Sequence, residues 1–159
     1  MTVKAQEPQS MSSTDRIEKR LVLRAPRARV WRAITTAKEF GTWFRMNLEG
    51  DFAEGVAIRG RVTHPGYEHV TVDMLVERIE PEQYFSYRWH PYAIDLATDY
   101  SAEPMTLVEF MLDEAEGGTA VTIVESGFDR IPLARRDEAF RMNDKGWGGQ
   151  IKNLERYVS

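Results

Sequence analysis

The stretch that most constrains the fold is the last one, Arg135 to Val158. Phe140, Trp147, Ile151, Leu154 and Val158 fall on one stripe, at steps of seven, four, three and four, which is the spacing of a helix with one buried face. At about 1.5 Å per residue such a helix runs roughly 35 Å, enough to cross a small domain. Asn143 and Asp144 interrupt the apolar pattern, and Gly146, Gly148 and Gly149 crowd around Trp147. Each Gly costs about 1 kcal/mol relative to Ala in a helix interior. Their retention predicts close approach of strands or short helices around Trp147.

The rest of the chain supplies what this helix lies against. Ile17 to Ala25 alternates as a strand, and Pro26 ends it at a position suited to a helix's first turn. Val30, Ile34 and Ala37 then carry a helical period, and a second short helix spans Lys38 to Phe44 with Phe40, Trp43 and Phe44. Six strands are predicted next, at Leu48 to Phe52, Val56 to His64, His69 to Ile79, Tyr84 to His90, Thr106 to Leu112 and Thr119 to Ser126. Turn-forming residues separate them at Gly55, Pro65-Gly66, Pro81 and Gly117-Gly118. No helix-length connector joins any pair, so the sheet is antiparallel. Its apolar face must be covered. The expected architecture is α+β: a curved antiparallel sheet of six or seven strands around the long C-terminal helix, with two short helices after the first strand. Residues 1–15 read as a flexible tail rich in polar residues, and 16–159 as a single domain.

Composition excludes several classes. The net charge of −4 gives no support to a nucleic-acid surface or an anionic membrane surface. Without Cys there is no disulfide framework, thiol nucleophile or Cys-based zinc site. That composition fits a reducing compartment, and a cytoplasmic location is expected. No apolar run approaches the roughly 18 residues of a membrane span, and the N-terminus lacks the apolar core of a secretory signal.

Several short motifs, in order, resemble a known superfamily. Ala25-Pro26, Val30 to Thr35 and Trp43-Phe44 resemble the opening of START-like (SRPBCC) proteins, in the branch related to the C-terminal domain of the Hsp90 ATPase activator Aha1. Pro81 followed by Phe85, Tyr87 and Trp89 is similar to that branch's central strand. Gly118-Thr119 leading to Glu125-Ser126-Gly127-Phe128 is similar to its last hairpin, and Gly146-Trp147, Ile151, Leu154 and Tyr157 to its closing helix. The resemblance runs from Ile17 to the C-terminus. It implies a helix-grip (START/Bet v 1-like) fold, often with a cavity for an apolar small molecule. It does not fix an activity, because fold and function separate in such families. The superfamily includes lipid carriers, hormone receptors, cyclases and co-chaperone-like domains. The chain is expected to lack the activator's separate N-terminal domain, so a chaperone partner rests on analogy alone.

The expected function is therefore small-molecule binding between sheet and C-terminal helix, with a cyclase- or hydrolase-type enzyme or an Hsp90 co-chaperone-like interaction domain as the alternatives. Glu125 shares a strand face with Val121 and Ile123, so its carboxylate points into the hollow. It is read either as a ligand anchor or acid/base with a raised pKa, or as a structural carboxylate that is paired or reaches water. His90 is a second proton-shuttle candidate. Tyr87 and Trp89 either fill the core or offer an aromatic wall to a pocket, Phe85 fills the core, and Phe110 lies on the neighbouring strand. Trp43 and Phe44 read as core first and ligand contact second, lying where the short helices meet the cavity end. On the long helix, Trp147 onward closes the core. Phe140, Asn143 and Trp147 bound the half expected to meet a ligand, with Asn143 and Asp144 at its wetter end. Residues 91–104, including Tyr92, are long for a hairpin connection and read as a lid, with a surface insertion or homodimer contact as the alternatives. No cofactor is implied. His64 and His69 flank a turn but lack a third ligand, so no metal site is expected. Arg130, Arg135, Arg136 and Arg141, with Asp129, Asp137 and Glu138, read as a solvated, salt-bridge-laced helix start.

Overall fold

The computed structural model describes residues 14–159. Seven strands form one antiparallel sheet: β1 (Arg16–Leu23), β2 (Met46–Leu48), β3 (Ala57–Val62), β4 (Thr71–Glu80), β5 (Tyr84–Trp89), β6 (Thr106–Ala115) and β7 (Gly118–Ser126). Their order is β1-β7-β6-β5-β4-β3-β2, so the first strand closes against the last and the rest form a meander. Helices α1 (Arg27–Thr35) and α2 (Ala37–Phe44) follow β1, and α3 (Leu133–Val158) ends the chain. This is the helix-grip fold. Among the described residues no helix is long and apolar enough to cross a membrane.

The periodicities explain the packing. Phe85, Tyr87 and Trp89 on β5, Val108, Phe110 and Leu112 on β6, and Val121 and Ile123 on β7 are buried in one core. Helix α3 lays Ala139, Trp147, Ile151, Leu154 and Val158 on that core. Counting back from Trp147 in steps of four gives Asn143 and Ala139, so the buried stripe passes through Asn143 and leaves Phe140 to one side. Phe140 packs instead on Phe128, in the 3-10 turn Phe128–Arg130, at 5.2 Å between ring centroids. At the other end of α3, Tyr157 donates to Glu39 on α2 (3.0 Å), and Arg29 on α1 donates to the same carboxylate oxygen (2.9 Å). The three helices are thereby tied together.

Element boundaries shift where backbone geometry intervenes. Arg45 caps α2 in the left-handed region (φ 69°), and the chain enters β2 at once, so the strand is Met46–Leu48 rather than Leu48 to Phe52. Pro132 precedes α3, which starts at Leu133, two residues before the predicted start. Most of the tail assigned to residues 1–15 lies outside the described residues. Asp15 itself is anchored: its carbonyl accepts from Gly127 and Phe128, and its carboxylate from the Asp129 N–H.

The glycines of α3 are the clearest departure. A Cβ added at Gly146, Gly148 or Gly149 meets no atom within 4 Å, so none of them serves close packing around Trp147. The close approach lies elsewhere. At Gly118 an added Cβ would stand 1.9 Å from the Leu23 carbonyl oxygen, where β1 meets the β6–β7 hairpin. Opposite outcomes follow for one type of substitution. Gly146→Ala and Gly149→Ala should each stabilise by up to about 1 kcal/mol. Gly118→Ala should destabilise by about 1–3 kcal/mol or more through overpacking. Urea midpoints at equal slope measure both, and equal effects at the three positions would contradict the packing described.

Candidate functional site

Two features stand side by side: a buried carboxylate and an open groove. The carboxylate is Glu125, on the inward face of β7 beside Val121 and Ile123. Its side chain is fully buried, and it accepts four hydrogen bonds. Trp89 Nε1 (2.7 Å) and Thr106 Oγ1 (2.6 Å) donate to Oε2. Trp147 Nε1 (2.8 Å) and Asn143 Nδ2 (2.9 Å) donate to Oε1. Strand register brings the first pair together, because Trp89 lies opposite Thr106 on β5–β6 and Val108 opposite Glu125 on β6–β7. The helical step of four brings the second pair.

The four donors match an acceptor-only group with about four lone-pair positions, which is the ionised carboxylate. Each oxygen receives one indole N–H, which can only donate. Burial works the other way and disfavours the charge. The net effect is that burial raises the Glu125 carboxyl above its ordinary value, with the bonds from Thr106, Trp89, Trp147 and Asn143 opposing the rise. With its four lone-pair positions engaged, the carboxylate has none free for a hydrogen bond to a substrate, and the arrangement locks together β5, β6, β7 and α3. Contrary to the structural reading of Glu125, the carboxylate neither reaches water nor pairs with an Arg; its partners are four neutral donors.

Around this knot aromatic rings pack against one another. The Trp147 ring lies 5.8 Å from Phe44, 5.9 Å from Trp89 and 5.9 Å from Phe110, measured between centroids. Trp43 is buried on α2 and donates its indole N–H to the Ala33 carbonyl (2.9 Å). Tyr87 is enclosed by Phe40, Phe85, Trp89 and Phe110. Its hydroxyl has no hydrogen-bond partner among the described residues. Burial, with the nearby Glu125, pushes that phenol well above its usual range.

The groove lies beside the knot. It has a volume of about 1000 Å³ and runs between one flank of α3, the β3–β4 turn with the strand ends beside it, the end of β5, and residues 91–101. Of the predicted ligand residues, Phe44, Trp89, Tyr92 and Asn143 line it. Trp43, Tyr87, Phe110, Glu125, Phe140 and Trp147 do not: the first three and Trp147 are core, Glu125 is sealed beneath Trp89 and Asn143, and Phe140 packs on Phe128. The expectation of a ligand against the Phe140-to-Trp147 half is thus displaced by about one helix face. The flank that lines the groove includes Met142, Gly146, Gly149, Asn153 and Arg156. These recur at steps of four, three, four and three, a second stripe legible in the sequence had the glycines been read as clearance for a ligand. Asp144 points elsewhere and pairs with Lys19 (2.9 Å).

The loop 91–104 forms one wall. Tyr92 adopts φ 51°, a conformation costing a non-glycine residue roughly 1–2 kcal/mol. What holds it is Arg135, which pairs with Glu103 (2.7 Å), donates to the Pro91 carbonyl (2.8 Å) and lies over the Tyr100 ring at 4.7 Å. Arg135 is salt-bridged, as expected of this helix start, but its partner is the loop's Glu103 and the pair is largely covered rather than solvated. His90 borders the groove, and its Nε2 bonds the Glu103 carbonyl (3.1 Å). His64 bonds Arg45 (3.1 Å), and no group of three potential metal ligands occurs among the described residues.

Fold and site thus define a helix-grip domain with a sealed polar knot and a lateral groove. The Activator of Hsp90 ATPase homolog 1-like family matches residues 24–159, and the chain belongs to that family. The fold is shared with a protein from Mesorhizobium loti (22% identity, 90% of this chain and 96% of that one, TM-score 0.70). It is shared also with the Aha1 dimer from Colwellia psychrerythraea (17% identity, 90% and 95%, TM-score 0.67). DynU16, from the dynemicin biosynthetic locus, is similar over 91% of this chain, which spans only 47% of that protein (22% identity, TM-score 0.69). No curated protein sequence matches significantly.

The knot predicts a specific pH dependence. A carboxylate with a raised folded-state pKa binds more protons in the native than in the unfolded state between the ordinary value of 4.5 and the folded value. Stability therefore falls as pH rises through that window. Thr106→Val removes a bond that favours the charged form, so its cost should be about 1.5–3 kcal/mol above the window and smaller below it. Denaturant unfolding of both proteins across this pH range tests this. An equal cost at every pH would show that Glu125 does not titrate in the fold.

Proposed function

We propose that the protein is a small-molecule binding module whose ligand occupies the lateral groove, with residues 91–104 as its lid. The groove carries this reading. Its volume is at the upper end of that typical for small-molecule sites, and a few polar groups border an aromatic and aliphatic floor, as such sites require. The floor includes Trp89, Tyr92, Ile94 and Val72. The open glycines of α3 support the reading further: helix stability is given up where side chains would fill the groove. Catalysis by Glu125 finds no support in the geometry, since its lone pairs are occupied and its side chain is sealed. The Colwellia psychrerythraea relative is a dimer in solution, and a homodimer of this chain is proposed on that likeness alone. A cytoplasmic location is proposed from the Cys-free composition.

N-phenyl-1-naphthylamine, a neutral dye that brightens in apolar sites, tests the proposal. The dye should bind the native protein with micromolar affinity and quench Trp89. Gly149→Trp should weaken it at least about tenfold by filling the groove, with Tm unchanged or raised because the site is open. Full binding in that variant, or none in the parent protein, would refute the groove as the site.

A further inference from the structure

The charges around the groove are not balanced in kind. Its carboxylates are Asp73, Asp95 and Asp99, and each is already engaged. Asp73 pairs with Arg59 (2.9 Å). Asp95 accepts from the Ala97 N–H (3.0 Å) and the Thr98 hydroxyl (2.8 Å). Asp99 accepts from the Ser101 N–H (3.0 Å). The turn N–H groups hold both loop carboxyls below their usual range, so they stay charged.

The cations are Arg45, Lys145, Lys152 and Arg156, and among the described residues none of them has a carboxylate within ion-pair distance. Among the described residues the Arg45 side chain bonds only His64, and the Arg156 side chain only that of Asn153. They gather on one side. Lys145, Lys152 and Arg156 follow one flank of α3 at steps of seven and four. Arg45 stands at the end of α2, where Phe44 gives its carbonyl to Gln150 of α3 (3.0 Å). Gly149 lies on the same flank between Lys145 and Lys152, leaving that wall without a side chain at its middle. The chain as a whole carries a net charge of −4, so this wall is a local reversal of sign.

We propose that the groove binds an amphiphilic carboxylate, an aliphatic or aromatic acid. Its apolar body lies on Trp89, Tyr92 and Ile94, and its anion meets the cations of α3 and α2. The assignment rests on the groove being the binding site. The acidic loop opposite sets the direction: Asp95 and Asp99 repel the headgroup, so the apolar end enters beneath the loop and the carboxylate faces α3. One charge-assisted contact in such a setting is worth about tenfold in affinity.

Displacement of N-phenyl-1-naphthylamine by dodecanoate and by dodecanol separates the two claims. Dodecanoate should displace the dye at least about tenfold more tightly than dodecanol, with the difference shrinking as salt rises. In Lys145→Gln/Lys152→Gln/Arg156→Gln the acid should lose this preference while dodecanol is unaffected. These side chains are exposed, so the variant retains the fold. In Arg20→Gln/Arg24→Gln, which removes two exposed cations of β1 and the turn after it, the preference should persist. Equal affinity for acid and alcohol would overturn the carboxylate assignment and leave the groove as the site. A preference lost equally in the β1 variant would also overturn it, by showing an effect of net charge alone. Dye that binds but is displaced by neither compound would overturn it as well, and absence of dye binding would remove the groove reading beneath it.

Discussion

The Glu125 carboxylate is the interaction on which the structure depends. Three strands and the closing helix each send it a hydrogen bond or supply it, and every donor is neutral. Burying a carboxylate without a cation is costly unless its lone pairs are satisfied. The cost explains why two tryptophans with inward indole N–H groups, a buried threonine and a polar residue on the helix stripe occur together. It also fixes the rotation of α3 about its axis, because Asn143 and Trp147 must both reach the carboxylate. That rotation in turn decides which helix flank is left to border the groove.

Much of the fold was legible in the sequence because it follows from periodicity. The alternation of β5 to β7 and the four-residue steps of α3 define faces, and faces define the layers. The inward orientation of Glu125 came from the same counting. The sequence could not show that its partners would be Trp89, Thr106, Asn143 and Trp147, since those depend on register between strands and on helix rotation. Asn143 shows the difficulty well. Its place on the stripe looks like an interruption until the carboxylate opposite is known.

The groove was less legible. Phe44, Trp89, Tyr92 and Asn143 were singled out, but Trp43, Tyr87, Phe110 and Trp147 belong to a core of rings packed against one another. An aromatic residue on an inward face has the same sequence signature whether it packs against another ring or borders empty space. The glycines misled in the same way. A Gly can permit close packing or leave room: Gly41, Gly60 and Gly118 serve the first purpose, and the three glycines of α3 do not. Arg135 was read as solvated because its partner, Glu103, lies 32 residues away on a loop whose path the sequence does not specify.

The central claim is that the Glu125 carboxylate and Trp147 support the groove from beneath, while only Trp89 and Asn143 of the knot border it. The most direct measurement is a 15N NMR titration of the protein with dodecanoate, following the indole N–H signals together with the backbone amides. The account predicts that the Trp147 indole N–H exchanges slowly with solvent and keeps its position at saturation, while amides of residues 92–101 and 145–153 move. A Trp147 indole signal that shifts as far as those amides, or exchanges freely in the unliganded protein, would contradict it.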